Sequence, residues 1–271
     1  MEIFINPYTD FGFKKLFGEE KTKHLLISFL NDLLSGKEVI TDLTFKNSEL
    51  LPDHGDSRKA IFDIYCTNDK GEYFIVELQK AKQNYFKDRT VYYSTFPIQQ
   101  QAKKGEWNFK LKSVYCIGIL DFVFDKAQKE VIHTVQLKDQ RNAVFYDKLK
   151  FIYIEMPNFN KPLEALETHQ DRWLYFIKNL STLEDIPEIF KDDIIFEGFE
   201  VARIAAYNEV DRERYHHSLK EYRDLFNVVT TAHEEGVEKG IGIGVEKGIG
   251  IGVEKGIGIG VEKGIGIGVE K

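Results

Sequence analysis

Asp63 and Glu77 are the residues whose types and spacing most directly point to chemistry. Asp63 lies in Ile61-Phe62-Asp63-Ile64-Tyr65 and Glu77 in Ile75-Val76-Glu77-Leu78-Gln79, each carboxylate in the middle of an apolar, β-rich run. An ionised carboxylate in such a run is costly unless it is paired or bound to a metal. Residues 60–67 and 72–79 are joined by Asn68-Asp69-Lys70-Gly71, a turn composition, so the two runs read as a β-hairpin. If Asn68 faces Glu72, then Asp63 faces Glu77 on one side of the sheet, with Cβ atoms roughly 5 Å apart. Gln79 points to that side as well, because strand side chains alternate. A one-residue slip would put the two carboxylates on opposite faces. Facing carboxylates repel, and a divalent cation with oxygen ligands and retained waters resolves the conflict, magnesium first and manganese as the alternative. Such an ion generates a hydroxide nucleophile and stabilises charge on a phosphate under attack. The same spacing also fits a hairpin with two edge charges facing water, or a pair sharing one proton.

The elements that must hold this hairpin follow from periodicity. Over residues 10–34, Phe13, Leu16, Phe17, Leu25, Leu26, Phe29, Leu30 and Leu33 recur at three- and four-residue spacing, which predicts one helix with Gly36 as its stop. A second helix is expected over 84–104, interrupted near Pro97. Residues 113–120 are apolar throughout and predict a strand buried on both faces. Further strands are expected at 131–137 and 150–156, and helices from Pro162 to about Glu235. The order α, β, β, α, β describes a central mixed sheet with helices packed on it.

From Gly236 the chain is four copies of Gly-Val-Glu-Lys-Gly-Ile-Gly-Ile closed by Gly-Val-Glu-Lys, and 13 of these 36 residues are glycine. That density argues against a strong helix, since each glycine costs about 1 kcal/mol relative to alanine. Glycine at every fourth position would let helices approach closely, and the Gly-Ile-Gly-Ile stretches alternate as a strand does. The tail therefore reads as a low-complexity repeat without a catalytic role, with helix formation and self-association left open.

Composition narrows the classes. Of the 271 residues, 42% are hydrophobic, enough for a real core, while the net charge of −7 weighs against a broad basic surface and leaves room for a narrow basic cleft. Cys66 and Cys116 sit in apolar runs and read as buried free thiols; without a CxxC motif or a histidine cluster, zinc is not expected. No basic leader precedes an apolar core, and no 18-residue apolar stretch occurs, so neither export nor a membrane span is expected and the location is read as cytoplasmic. Gly240-Ile241-Gly242 belongs to the repeat and is not a nucleotide loop, and no G-x-S-x-G or HExxH is present.

The segment Phe62-Asp63-Ile64 to Tyr73-Phe74-Ile75-Val76-Glu77-Leu78-Gln79 resembles the motif core of the Rpn recombination-promoting nucleases, PD-(D/E)XK family transposases. The resemblance begins at Asp10-Phe11-Gly12-Phe13-Lys14-Lys15-Leu16-Phe17 and Ser28-Phe29-Leu30-Asn31. It continues through Arg89-Thr90-Val91-Tyr92-Tyr93, Gly105-Glu106-Trp107 and Val114-Tyr115-Cys116-Ile117 to Tyr222-Arg223-Asp224, so it covers nearly the whole chain. It implies a restriction-endonuclease-like α/β fold in residues 1–160, a helical region over 161–235 and the repeat tail over 236–271. It implies Asp63 and Glu77 as metal ligands for Mg²⁺ or Mn²⁺, and Gln79 as the third catalytic position where the wider superfamily has lysine. Neutral Gln79 can only hydrogen-bond, and Lys80 points to the opposite face of a regular strand, so Lys14 or Lys59 is the expected source of the missing charge. Arg89 and Tyr93, four apart on one helix face, are candidate DNA contacts together with Lys14 and with Gln100 or Gln101; an ordinary solvated face with a core tyrosine is the plainer reading. Asp10 reads as a helix N-cap or as a further acidic site residue.

The expected function is therefore a metal-dependent DNA endonuclease, with promotion of recombination or mobile-element transfer implied by the resemblance. The alternative is a catalytically weak nuclease fold acting as an interaction protein, assembling through its C-terminal helices and repeats, and self-association stays open in either case.

Overall fold

The periodicities place apolar side chains on both faces of one sheet, so helices must cover it twice. The computed structural model describes residues 2–34, 39–50, 60–102, 105 and 108–269. In chain order its helices and strands are α1 (Asp10–Phe17), α2 (Lys23–Leu33), β1 (Leu43–Phe45), β2 (Glu49–Leu50), β3 (Ala60–Ile61), β4 (Ile64–Asn68) and β5 (Tyr73–Gln79). They continue with α3 (Phe86–Gln100), β6 (Val114–Leu120), β7 (Ile132–Lys138), β8 (Val144–Glu155), α4 (His169–Asn179), α5 (Ile195–Ala202) and α6 (Glu209–Val269). Among the described residues, six strands form one sheet in the order β1-β4-β5-β6-β8-β7, and β2 pairs with β3 separately. β4 and β5 are antiparallel, β5, β6 and β8 run parallel, and β7 returns antiparallel along β8.

Alternation along β5 decides what each face receives. Phe74, Val76 and Leu78 enter the larger core, which α1, α2, α4 and α5 build with Leu16, Phe29, Trp173 and Phe199. Ile75 faces the other side, where α3 lays Phe86 and Phe96 against Cys116, Phe151 and Tyr153. Each large apolar side chain so buried stabilises the fold by about 1.5–3 kcal/mol. β6 is buried at every position, as a strand covered on both faces must be. Cys66 and Cys116 are buried free thiols, and burial pushes Cys66 up to about 12.

Local chemistry divides some of the predicted elements. The helix expected over 10–34 is two. Thr9 caps α1 by accepting the Gly12 N–H at 2.9 Å, so Asp10 is the first helical residue and not the cap. A Cβ on Gly12 would lie 2.3 Å from Asn6 O and 2.7 Å from Thr9 Oγ1, which is why glycine stands there. Gly18 N–H closes α1 on Lys14 O, and the Thr22 hydroxyl donates to Lys15 O and Glu19 O before α2 begins. The stop expected at Gly36 lies outside the described residues. α3 runs unbroken through Pro97, whose missing N–H leaves the helix intact up to Gln100. β8 starts earlier than expected because residues from Val144 onward pair with β7 along the sheet edge.

The chain falls into two units, Met1–Tyr222 and Arg223–Lys271. Residues 161–222, separated from 1–160 in the sequence reading, contribute Trp173, Phe176, Phe199 and Tyr215 to the core that holds Phe17 and Val76. α6 continues through the repeat to Val269, despite the glycine content. Its valines and isoleucines from Val237 to Ile265 are exposed. Among the described residues, no helix is long and apolar enough to cross a membrane.

Candidate active site

The turn sets the register of the hairpin. Asn68 Oδ1 accepts the N–H groups of Lys70 (3.1 Å) and Glu72 (2.8 Å), and Asn68 Nδ2 donates to Glu72 Oε2 at 2.8 Å. From this closure Thr67 faces Tyr73 and Ile64 faces Val76, the register that the turn composition predicts. One step further Asp63 meets Glu77, and there the run expected over 60–67 breaks. Phe62 N–H turns to Ser48 O, while Asp63 takes backbone partners with its side chain. Leu78 N–H donates to Asp63 Oδ2 at 2.7 Å, and Asp63 N–H donates to Glu77 Oε1 at 3.3 Å. The carboxylates are brought together by a side chain standing in for a strand carbonyl.

Their surroundings are dry on the inner side. Ile75, Phe86, Thr90, Tyr93, Gly118 and Tyr153 wall a cavity of about 10 Å³ behind Glu77, room for no more than about one water. Gly118 lies opposite Glu77 on β6, and a Cβ there would meet Tyr153 Cδ1 at 3.1 Å and Leu120 Cδ2 at 3.3 Å. Burial pushes Glu77 up to about 8; the charge of Asp63 adds to the rise, and Arg89 opposes it. Burial also raises Asp63 above the usual carboxylate range, against the Leu78 N–H bond, with Asp10 raising it further and Lys14 and Lys80 opposing. Two facing carboxyls, both displaced upward, are a pair with one negative charge too many for its environment.

Gln79, buried on the same face, accepts an N–H of the Arg89 guanidinium at Oε1 and donates from Nε2 to Ala81 O at 3.0 Å. Arg89 also donates to Gln83 Oε1 at 2.7 Å, and its carbon centre lies over the rings of Phe86 (5.3 Å) and Tyr93 (5.8 Å). Its Nε is buried and has no hydrogen-bond partner among the described residues. Tyr93 packs edge-on against Phe62 with centroids 5.2 Å apart. Arg89 and Tyr93 therefore gather around Glu77 and Gln79. Lys14 is paired to Asp10 at 2.8 Å, one helical turn away, and its charge bears on both carboxylates.

Gln101 does not join them. It follows Arg89 by twelve residues, about 18 Å along a helix axis, and its Oε1 accepts the Lys112 N–H at 2.6 Å. Lys59 lies outside the described residues, as do Glu106 and Trp107. Lys80, expected on the opposite face, stands near enough to Asp63 to lower its carboxyl. Gln83, which holds the second guanidinium nitrogen, gave no signal in the sequence, because only the fold of the β5–α3 connection brings it to Arg89. Among the described residues, no group of three His, Cys, Asp or Glu side chains could hold a metal ion.

The model of the PD-(D/E)XK nuclease family transposases matches residues 7–232. The chain belongs to that family. No significant match was found among curated proteins or solved structures. The mixed sheet with helices on both faces is accordingly the restriction-endonuclease-like α/β fold of PD-(D/E)XK proteins, and membership implies a nuclease- or transposase-like activity with DNA as the partner. Nucleases of this family characteristically use divalent metals. Two hard oxygen donors with an excess of negative charge fit such an ion, which keeps several of its own waters. The hairpin, both carboxylates and all of α3 lie inside the matched span.

Proposed function

We propose that this chain is a magnesium-dependent DNA endonuclease in which Asp63 and Glu77 hold the metal. The observation that carries this reading is the half-buried facing pair, both carboxyls raised by loss of solvent and Glu77 further by its neighbour. Removing one charge or adding a cation relieves that conflict, and Mg²⁺, with Mn²⁺ as a substitute, suits oxygen donors. When bound, the ion supplies Lewis acidity at the scissile phosphate. Gln79 orients a water or a phosphate oxygen through its amide. Arg89 takes the part of the absent motif lysine: its charge lowers Glu77, and Gln79 and Gln83 fix two of its nitrogens. Tyr93 keeps the guanidinium in place by stacking. Lys14 contributes long-range positive charge.

Within the family, the motif spacing favours the Rpn recombination-promoting branch, so the cleavage would serve recombination or mobile-element transfer in the cytoplasm. The test is nicking of supercoiled plasmid by purified protein in Mg²⁺, Mn²⁺ or EDTA. Metal-dependent nicking is expected from wild type and from neither Asp63→Ala nor Glu77→Ala, with folding of both variants checked by circular dichroism. Folded wild-type protein that cleaves in no metal would move the function to an interaction protein on a nuclease fold.

A further inference from the structure

Next to the carboxylate pair lies a cavity that the proposed cleavage chemistry does not use. It occupies about 340 Å³, at the small end of ligand sites, and is lined by Lys82, Gln83, Tyr85, Lys87, Phe122 and Phe124 among others. Phe86 is shared with the wall behind Glu77, and Gln83 is the residue that holds Arg89, so the cavity adjoins the site directly. Its aromatic floor is already assembled: Phe86 and Phe122 have ring centroids 5.9 Å apart, and Phe122 and Phe124 5.8 Å. Two cations are pinned above it. Lys82 Nζ donates to Phe124 O at 2.8 Å, and Lys87 Nζ lies 4.6 Å from the Phe124 ring centroid.

Tyr85 completes the rim. It sits at φ 61°, ψ 23°, a left-handed conformation uncommon for a bulky residue. The residue is 80% exposed. Such a ring is of use where a flat partner is laid on it. Asp88 also lines the cavity and sets a limit on its positive charge, which suits a single strand passing through and not a broad duplex surface.

We propose that this cavity receives an unpaired nucleobase of single-stranded DNA, stacked on Tyr85 and Phe122, with the flanking phosphates on Lys82 and Lys87. The inference rests on the nuclease reading above and adds its substrate class. Bases in a duplex are stacked on each other and cannot reach the ring, whereas every unpaired base has a free face for it. Cleavage would then favour single-stranded, frayed or flapped DNA over continuous duplex.

The test is binding, in EDTA, of a labelled single-stranded oligonucleotide and of its duplex to the full chain, read by fluorescence anisotropy. Wild type is expected to bind the single strand more tightly. Tyr85→Asn, which removes the ring while favouring the left-handed backbone, is expected to weaken single-strand binding roughly 5-fold or more, as loss of one stacked base does, and Tyr85→Phe to retain it. Lys82→Ala and Lys87→Ala should each lower the salt dependence by about 0.7 in log–log slope. Tyr85→Asn binding like wild type, or a wild type that prefers duplex, overturns the inference while leaving metal-dependent plasmid nicking to stand. Single-strand binding lost in Tyr85→Asn, with no cleavage of any DNA in any metal, supports the inference and removes the nuclease. Binding to neither DNA overturns the inference, and plasmid nicking in Mg²⁺ decides the nuclease reading separately.

Discussion

Asp63→Asn should make this protein more stable while abolishing its activity. Glu77 carries a proton in the folded chain up to about pH 8, whereas an unfolded glutamate releases it near 4.5. Over that interval the native state binds more protons than the unfolded state, so stability falls as pH rises from about 4.5 and is lowest above about 8. At 1.36 kcal/mol per pH unit the interval corresponds to a ceiling of about 5 kcal/mol. Burial is the larger cause and survives the substitution. The part owed to Asp63 is that of like charges about 5 Å apart at an effective dielectric near 20, about 3 kcal/mol at most. Asparagine keeps an oxygen to accept the Leu78 N–H, so the turn-over of the strand at residue 63 is preserved. The expected gain is about 1–3 kcal/mol at pH 8 and little at pH 5. Urea unfolding at both pH values, with wild type in parallel, measures it. An Asp63→Asn variant less stable than wild type at pH 8, or a wild type whose stability does not fall between pH 5 and pH 8, refutes the account of the pair as mutually destabilising.

Metal should do for wild type what the substitution does without it: Mg²⁺ at a hundred times its Kd adds about 2.7 kcal/mol, seen as a raised urea midpoint at pH 8 that Asp63→Asn lacks. Arg89→Ala is expected to move Glu77 still higher and to cut plasmid nicking by about 10²-fold, shifting the rising limb of the pH–rate profile to higher pH. Arg89→Lys should recover only part of this, since a lysine has one nitrogen where the guanidinium reaches Gln79 and Gln83 with two. Gly118→Ala presses a methyl against Tyr153, whose hydroxyl is held by Thr90 at 2.7 Å, and should cost about 1–3 kcal/mol in chemical denaturation.

Much of the site is legible because a hairpin is a local object. The composition of residues 68–71 fixes the turn, the turn fixes the register, and the register puts Asp63 against Glu77 with Gln79 on the same face. Alternation in β5 likewise gives the two faces of the sheet, and the unbroken apolar run of β6 gives its burial. What sequence misses is carried by side chains that replace backbone partners. Thr22 taking the carbonyls after α1, and Asp63 taking the Leu78 N–H, both break elements whose apolar spacing reads as continuous. Gln101 is near Arg89 in sequence, whereas the helix carries it away by more than three turns. Residues 161–222 look separable for a related reason: they contribute no strand, yet their aromatic side chains complete the core under β4, β5 and β6.

The closure at Asn68 makes the length of a surface turn part of the active centre. Asn68 lies five residues from Asp63 and touches neither carboxylate, but it is the clasp from which every facing pair in the hairpin is counted. Insertions and deletions in exposed turns are ordinarily among the cheapest changes a protein can accept. Here a single added residue would rotate the whole run of β4 by one pleat, delivering Tyr65 to the face that Ile64 now fills and pointing Asp63 away from Glu77. The chain could remain folded and still lose both ligands at once. In a lineage of such proteins, the turn would stay constant in length and keep its asparagine.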